Sequence, residues 1–126
     1  MVKQYGQDAS VTDQHINGKL TLGENVADNG GARIAFNALA TLISKNTEMN
    51  KMIDGFTPHQ RFFLGFAQGW CANSSDEFKR LVTKTDEHSY DEFRIKGTVS
   101  NMPEFRKAFG CRVGQPMAPA EACRVW

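Results

Sequence analysis

One long stretch, from Leu22 to about Ser44, constrains the fold of this 126-residue chain more than any other feature. Its apolar residues recur at intervals of three and four, the spacing of one face of an α-helix. They are Val26, Ala27, Ile34, Ala35, Ala38, Leu39, Leu42 and Ile43. Gly30 and Gly31 lie inside this stretch, where each glycine costs about 1 kcal/mol relative to alanine. We therefore predict a long helix whose backbone is closely approached at the two glycines by another helix or a ligand.

Three further helices are predicted from their start signals. Residues 57–60, Thr-Pro-His-Gln, combine a capping threonine, a proline suited to the first turn and a glutamine that can complete a capping box. The helix that follows is apolar on most sides, so we expect it to be buried. Residues 74–77 start a helix that runs to about Val82, and residues 101–104 start a last short helix that ends at Gly110.

The remaining segments have no clear period. They are residues 1–22, 45–56, 83–99 and 111–126. The first is typical of irregular loop, the second of a linker, and the last of coil with two prolines. Residues 83–99 are expected to form a loop, with a short extended piece around Phe93, Ile95 and Val99. The sequence thus predicts a mainly α fold, with coil at both ends, in one domain spanning residues 1–126.

Composition excludes several classes of function. The chain has 15 basic and 14 acidic residues, a formal net charge of +1, so it lacks the basic character of a nucleic-acid-binding domain. No apolar run is long enough to cross a bilayer, and the first residues do not form a signal peptide. Any export signal is therefore expected elsewhere. The three cysteines, Cys71, Cys111 and Cys123, are an odd number, so at least one is free or pairs outside the chain.

Two acidic residues at the start of the long helix are candidates for chemistry. Glu24 and Asp28 are four residues apart and share one helical face. One interpretation is that both acids only interact with the positive end of the helix dipole. The other is that a cation lies over this face, with Glu24 as a metal ligand and Asp28 orienting a histidine ligand.

The surrounding sequence favours the second interpretation. Residues 21–31, Thr-Leu-Gly-Glu-Asn-Val-Ala-Asp-Asn-Gly-Gly, closely resemble a signature of the neprilysin and endothelin-converting enzyme family of zinc metallopeptidases. In that family the glutamate is the third protein ligand of the zinc, and the aspartate supports a histidine ligand. The resemblance assigns these roles to Glu24 and Asp28. It also implies that the chain is the C-terminal helical part of a thermolysin-like (gluzincin) catalytic domain.

A second segment carries the same resemblance. Residues 86–94, Asp-Glu-His-Ser-Tyr-Asp-Glu-Phe-Arg, are similar to the Asp-x-His-Ser…Phe-Arg stretch of the family. The resemblance implies that His88 stabilises the oxyanion of the tetrahedral intermediate and that Arg94 binds a substrate carbonyl. Asp86 is placed to hold His88. Residues 62–71 resemble the family's buried helix and receive no chemical role, and the ending at residues 123–126 is also similar.

The metal centre implied by this resemblance is incomplete within the chain. The family's His-Glu-x-x-His motif supplies two zinc ligands and the general base, and His15, His59 and His88 are not spaced in that way. We therefore expect one zinc ion whose other ligands lie upstream, in a part of the catalytic domain that this chain lacks together with the covering domain. The isolated chain is predicted to be inactive and to bind zinc weakly.

The implied parent protein is a zinc endopeptidase that cleaves small peptides. Its partners are a peptide substrate and the remainder of the peptidase chain. By the same resemblance, the three cysteines form disulfides with upstream partners, in a periplasmic, secreted or membrane-anchored protein outside the cytosol. Two alternatives stay open from the residues: a non-catalytic relative that binds peptides or a partner, and an unrelated helical interaction module.

Overall fold

In the computed structural model, which describes residues 1–7, 10–11 and 13–125, α-helices account for most of the chain. The helices are α1 (Val2–Gln7), α2 (Leu22–Lys45), α3 (Pro58–Gln68), α4 (Asp76–Thr85), α5 (Asp91–Ser100) and α6 (Pro103–Phe109). A small antiparallel hairpin of β1 (Ser10–Val11) and β2 (Gln14–His15) follows α1, and a short 3₁₀ helix covers Thr47–Asn50. The mainly α prediction is confirmed. Trp126, the last residue of the predicted family ending, lies outside the described residues.

The hydrophobic core forms where α2, α3, α5 and α6 meet. Phe36 of α2 stacks on Phe63 of α3, with ring centroids 5.3 Å apart. Ala32, Val99 and Met102 complete the buried cluster. Removing these apolar side chains from water is the main favourable term that fixes how the helices cross. The packing therefore determines where the polar residues at the start of α2 lie relative to α5.

Local signals place several helix ends correctly. The Thr57 hydroxyl accepts a hydrogen bond from the Gln60 backbone N–H at 3.2 Å, and the Gln60 side chain accepts one from Thr57 N–H at 2.9 Å. This is the predicted capping box at the start of α3. Ser75 caps α4 by accepting from Phe78 N–H at 3.3 Å. Gly110 ends α6 with φ of 65°, a left-handed conformation that glycine adopts without strain.

The predicted loop with an extended piece in residues 83–99 is wrong, because Asp91–Ser100 form α5. Asp91 and Glu92 in the first turn favour a helix start through the helix dipole. Gly97 weakens the helical signal in the sequence, and its role is only visible in the packing. A Cβ at this position would lie 2.3 Å from Tyr5 Cζ, so glycine is needed for Tyr5 to pack against α5.

The N-terminal segment also differs from the predicted irregular loop. Val2–Gln7 form α1, and the hairpin follows it. The signal is weak in the sequence because α1 has only six residues, too few for a helix to be stable without tertiary contacts. Tyr5 provides those contacts, since it is buried against α5.

The expectation that α3 is buried is wrong for this chain, and the expected close approach to the two glycines of α2 is absent at one of them. Within α3, only Pro58 and Phe63 are buried, and Leu64 is 42% exposed. An apolar helix face is buried only where another element covers it, and no described element covers the face of α3 that carries Leu64. Of the two glycines inside α2, Gly30 is buried, whereas a Cβ at Gly31 would meet no described atom within 4 Å, so the predicted close approach does not occur at Gly31.

Candidate metal and substrate site

The candidate site lies between the first turn of α2 and the loop that joins α4 to α5. Glu24 lies in the first turn of α2, where the helix dipole favours an acidic side chain. Its carboxylate is 37% exposed, so it is open to a ligand from solvent or from another part of a larger protein. Glu24 Oε2 is 3.4 Å from His88 Nε2. The structure therefore brings together two of the residues that the sequence analysis selected.

Asp86 holds His88 at two points. Its Oδ1 accepts a hydrogen bond from the His88 backbone N–H at 2.8 Å and lies 2.8 Å from His88 Nδ1. The backbone hydrogen bond, followed by the one from the ring, lowers the pKa of the Asp86 carboxyl below its ordinary value. The bond at Nδ1 fixes the plane of the imidazole and directs Nε2 towards Glu24. The predicted role of Asp86 in holding His88 thus has matching geometry.

Asp28 and Arg94 form a second, more buried pair. Arg94 Nε donates to Asp28 Oδ2 at 2.6 Å, and Arg94 Nη2 donates to Asp28 Oδ1 at 2.7 Å. The two side chains are only 11% and 13% exposed. The hydrogen bond to Asp28 raises the pKa of Arg94 further above its ordinary value. Such a bidentate pair fixes the orientation of the guanidinium plane.

Trp70 packs on the other side of Arg94. The guanidinium carbon lies 3.9 Å from the centroid of the Trp70 ring, within the range of a cation–π interaction. No chemical role was predicted for this tryptophan from the sequence. A lone tryptophan after an apolar helix gives no indication in the sequence that it contacts an arginine 24 positions later in the chain.

His88 and Arg94 line the same cleft, which has a volume of about 250 Å³. Asp86, Ser89 and Tyr90 also contribute to its walls. Arg94 carries N–H donors and the His88 ring has nitrogen atoms that can donate or accept, so the walls of this cleft include groups that can form hydrogen bonds with a ligand.

A further set of buried polar residues was missed by the sequence analysis. Asn25, Ser89 and Thr21 are 1%, 3% and 1% exposed. Ser89 Oγ donates to Asn25 Oδ1 at 2.8 Å, and Asn25 Nδ2 donates to Thr21 Oγ1 at 2.9 Å. These residues link α2 to the loop that carries His88. A single sequence gives no signal that tells a buried, hydrogen-bonded polar residue beside a motif from an exposed one.

The residues present fit a partial zinc site. A glutamate oxygen is a common zinc ligand, and the Glu24 carboxylate is exposed beside an imidazole. Among residues 1–7, 10–11 and 13–125, no three His, Cys, Asp or Glu side chains come together to hold a metal ion. Any zinc site that uses Glu24 therefore needs ligands from outside these described ranges.

The three cysteines lie in the described part of the chain, and each is a free thiol. Cys71 is exposed, whereas Cys111 and Cys123 are half-buried. No helix in the described ranges is long and apolar enough to span a membrane.

The helical fold, with an exposed glutamate in the first turn of α2 facing a histidine, is the arrangement expected from the resemblance to a metallopeptidase domain. The chain belongs to peptidase family M13, whose model matches residues 1–125. It is 44% identical over 127 residues to endothelin-converting enzyme 1 of Bos taurus and 46% identical over 130 residues to neprilysin of Homo sapiens. Both matches cover 100% of this chain and 17% of the relative. The predicted family resemblance is confirmed.

Solved structures agree with this membership. The open state of the zinc metalloprotease ZMP1 of Mycobacterium tuberculosis superposes with a TM-score of 0.89 at 32% identity. That match covers 99% of this chain and 20% of the ZMP1 chain. A Haemonchus galactose-containing glycoprotein complex gives a TM-score of 0.90 at 32% identity, with 22% of that chain covered. The chain therefore corresponds to about a fifth of these structures, and it is the mainly α C-terminal part of an M13 peptidase domain.

Proposed function

We propose that this chain is the C-terminal portion of a zinc endopeptidase that cleaves small peptides, and that it supplies one zinc ligand together with residues that bind the substrate. The observation that carries the proposal is the 3.4 Å approach of Glu24 on α2 to His88 on a distant loop. A carboxylate for a metal and a donor for the reacting carbonyl must lie within a few ångströms of one another in such a site. Membership of peptidase family M13, together with the similarity to neprilysin, supports the same proposed function.

Glu24 would hold the zinc together with two ligands from outside the chain. Bound zinc lowers the pKa of a water molecule and polarises the scissile carbonyl. The general base would also come from outside, because His15, His59 and His88 do not form a His-Glu-x-x-His motif. The substrate and the remainder of the peptidase are therefore the two partners of this chain.

His88 would donate a hydrogen bond from Nε2 to the oxygen on which negative charge develops. Asp86 accepts from Nδ1, so the ring donates from both nitrogens only when it is protonated. Asp86 Oδ1 lies 2.8 Å from Nδ1 and Glu24 Oε2 lies 3.4 Å from Nε2, so a carboxylate faces each ring nitrogen. A donor fixed before the reaction begins stabilises the transition state without reorganisation.

Arg94 would bind a carbonyl of the substrate backbone. Asp28 engages Nε and Nη2, which leaves Nη1 without a hydrogen bond to any residue in the described part of the chain. The guanidinium is therefore held in place while one nitrogen stays available. Each Asp28 oxygen has a second lone pair, so Asp28 can also support a histidine ligand from outside the chain.

The location proposed for the parent protein is extracytoplasmic, in a periplasmic, secreted or membrane-anchored form. The support is the family resemblance and the three cysteines, which would form disulfides with upstream segments in an oxidising compartment.

The test is the zinc content of the full-length protein, measured by elemental analysis beside activity on one short peptide. Glu24→Ala should lose both zinc and activity, because the metal loses one of three protein ligands. Glu87→Ala is the control, since Glu87 is an exposed acid beside His88 and should keep both. Full zinc occupancy in Glu24→Ala would refute the proposal. The isolated chain should bind zinc only weakly and show no peptidase activity, which calorimetric titration and the same peptide assay would check.

A further inference from the structure

The first turn of α2 and the loop of His88 are joined by a buried hydrogen bond that lies beside the candidate site. Ser89 Oγ donates to Asn25 Oδ1 at 2.8 Å across 64 positions of sequence. Asn25 follows Glu24, and Ser89 follows His88. The hydrogen bond therefore lies one residue away from each of the two side chains that meet at 3.4 Å.

Both partners of this bond are shielded from water. Asn25 is 1% exposed and Ser89 is 3% exposed, although they flank side chains that are 37% and 42% exposed. The other end of the Asn25 amide donates to the Thr21 hydroxyl at 2.9 Å, which fixes the rotamer of the side chain. Thr21 in turn donates to the Asn17 carbonyl at 3.2 Å. The Asn25 amide is thus fixed by the hydrogen bond to Thr21 while its oxygen accepts a hydrogen bond from Ser89.

The loop has few other attachments to α2. Asp86 holds His88 within the loop itself, so that contact sets the ring orientation but not its distance from α2. The next side-chain link is the hydrogen-bonded pair of Asp28 and Arg94, which joins α2 to α5 and not to the loop. Apart from the approach of His88 to Glu24 itself, the Asn25–Ser89 bond is therefore the side-chain contact nearest to His88 that connects the described loop to α2.

We propose that Asn25 and Ser89 are positioning residues that set the distance between His88 and Glu24. The inference rests on the proposed function of His88, because a fixed distance has a kinetic effect only if His88 acts on the reacting carbonyl. Displacement of a positioned group by about 1 Å can lower a rate by roughly 100-fold. Loss of the bond should therefore reduce kcat without removing the zinc ligand.

The experiment uses the full-length, zinc-loaded protein and the variants Ser89→Ala, His88→Ala and the double variant. Ser89→Ala should lower kcat by roughly 10- to 100-fold with zinc content and KM little changed. In the His88→Ala background the same substitution should cost less than about twofold, because a residue that acts through His88 has no further effect once His88 is absent. Ser89→Thr keeps the hydroxyl and should restore part of the rate.

Thr98→Val is the matched control. Thr98 is 0% exposed and its hydroxyl is hydrogen-bonded to Asn29, but it lies on the part of α5 away from the His88 loop. This variant also loses a buried hydroxyl, so it reports the general effect of removing a buried hydrogen bond that is remote from His88. It should leave kcat unchanged.

Hydrogen exchange of residues 86–90, measured by mass spectrometry, separates this inference from the proposed function. Ser89→Ala should raise the exchange of this loop, whereas Thr98→Val should not. Unchanged exchange in Ser89→Ala would overturn the inference whatever the kinetics show, and so would an equal loss of kcat with and without His88. If His88→Ala itself kept full kcat, the role proposed for His88 would fail, and the exchange result would still decide whether Ser89 holds the loop.

Discussion

Asp28 on α2 and Arg94 on α5 are joined by two parallel hydrogen bonds of 2.6 and 2.7 Å, in a position where both side chains are nearly buried. Each charged side chain is therefore neutralised by the other, and removing one would leave the other charge buried without a partner. The Asp28 carboxylate binds one edge of the guanidinium, and the Trp70 ring lies 3.9 Å from its carbon atom, so the guanidinium plane is fixed. Arg94 is therefore oriented before any substrate is present, which reduces the entropy lost on binding.

Arg94→Met should lower the free energy of unfolding by about 3 kcal/mol, because it leaves the Asp28 carboxylate buried without its partner. The same change should raise KM with a smaller effect on kcat, since Arg94 is proposed to contact the substrate in the ground state and in the transition state. Denaturant unfolding and steady-state kinetics of the full-length protein measure the two effects.

The double variant Asp28→Asn/Arg94→Met should be more stable than Arg94→Met alone, because the unpaired charge is removed as well. Lys96→Met is the control, since it breaks an exposed pair with Glu92 on the same helix and should cost at most about 0.5 kcal/mol. Equal destabilisation by Lys96→Met and Arg94→Met would contradict the statement that the buried Asp28–Arg94 pair costs more to break than an exposed pair.

His88→Ala should keep the zinc and lower kcat by roughly 100- to 1,000-fold, the usual effect of removing one donor to an oxyanion. KM should change little, because the donor acts mainly when charge develops. Elemental analysis and kinetics on one short peptide check both statements. His15→Ala, an exposed histidine in β2, should leave kcat unchanged. Loss of zinc in His88→Ala would show that the role assigned to residues 86–94 is wrong.

Asp86→Asn should reduce stability at neutral pH and have a diminishing effect in acid. The pKa of Asp86 is lowered in the folded state, first by the backbone N–H of His88 and then by its ring. A carboxyl whose pKa is lower in the folded protein than in the unfolded chain stabilises the fold at pH values above the unfolded pKa. This stabilisation is lost as the pH falls through the folded pKa. Thermal melts of the wild type and the variant should therefore converge at acid pH. Glu87→Gln, which changes the exposed acid next to Asp86, is the control and should leave the melting temperature at neutral pH unchanged.

Cys71, Cys111 and Cys123 should each be linked to cysteines outside this chain in the full-length protein purified from an oxidising compartment. Alkylation followed by peptide mass mapping identifies the pairs. In the reduced protein the three thiols should be modified, with Cys71 reacting first because it is exposed. Recovery of all three as free thiols from the mature protein would exclude this pairing.

The sequence alone was sufficient for features that depend on neighbouring residues. The capping box of Thr57 and Gln60, the end of α6 at Gly110 and the extent of α2 follow from hydrogen bonds and side-chain spacing within one element. The motif around Glu24 likewise lies within eleven consecutive residues and was sufficient to indicate the family. Local interactions are readable because their partners are at fixed distances along the chain.

Tertiary structure decided which of the selected residues meet. Arg94 binds Asp28 across 66 positions, and no local pattern specifies that contact. Within the helix Asp91–Ser100, Gly97 leaves the space into which Tyr5 packs, and residues of the segment itself do not reveal that contact. These outcomes follow from how α2 and α5 cross, and burial of Phe36, Phe63 and Val99 sets that crossing. The hydrophobic effect has no direction of its own, so the partners of polar groups are known only after the apolar surfaces have packed.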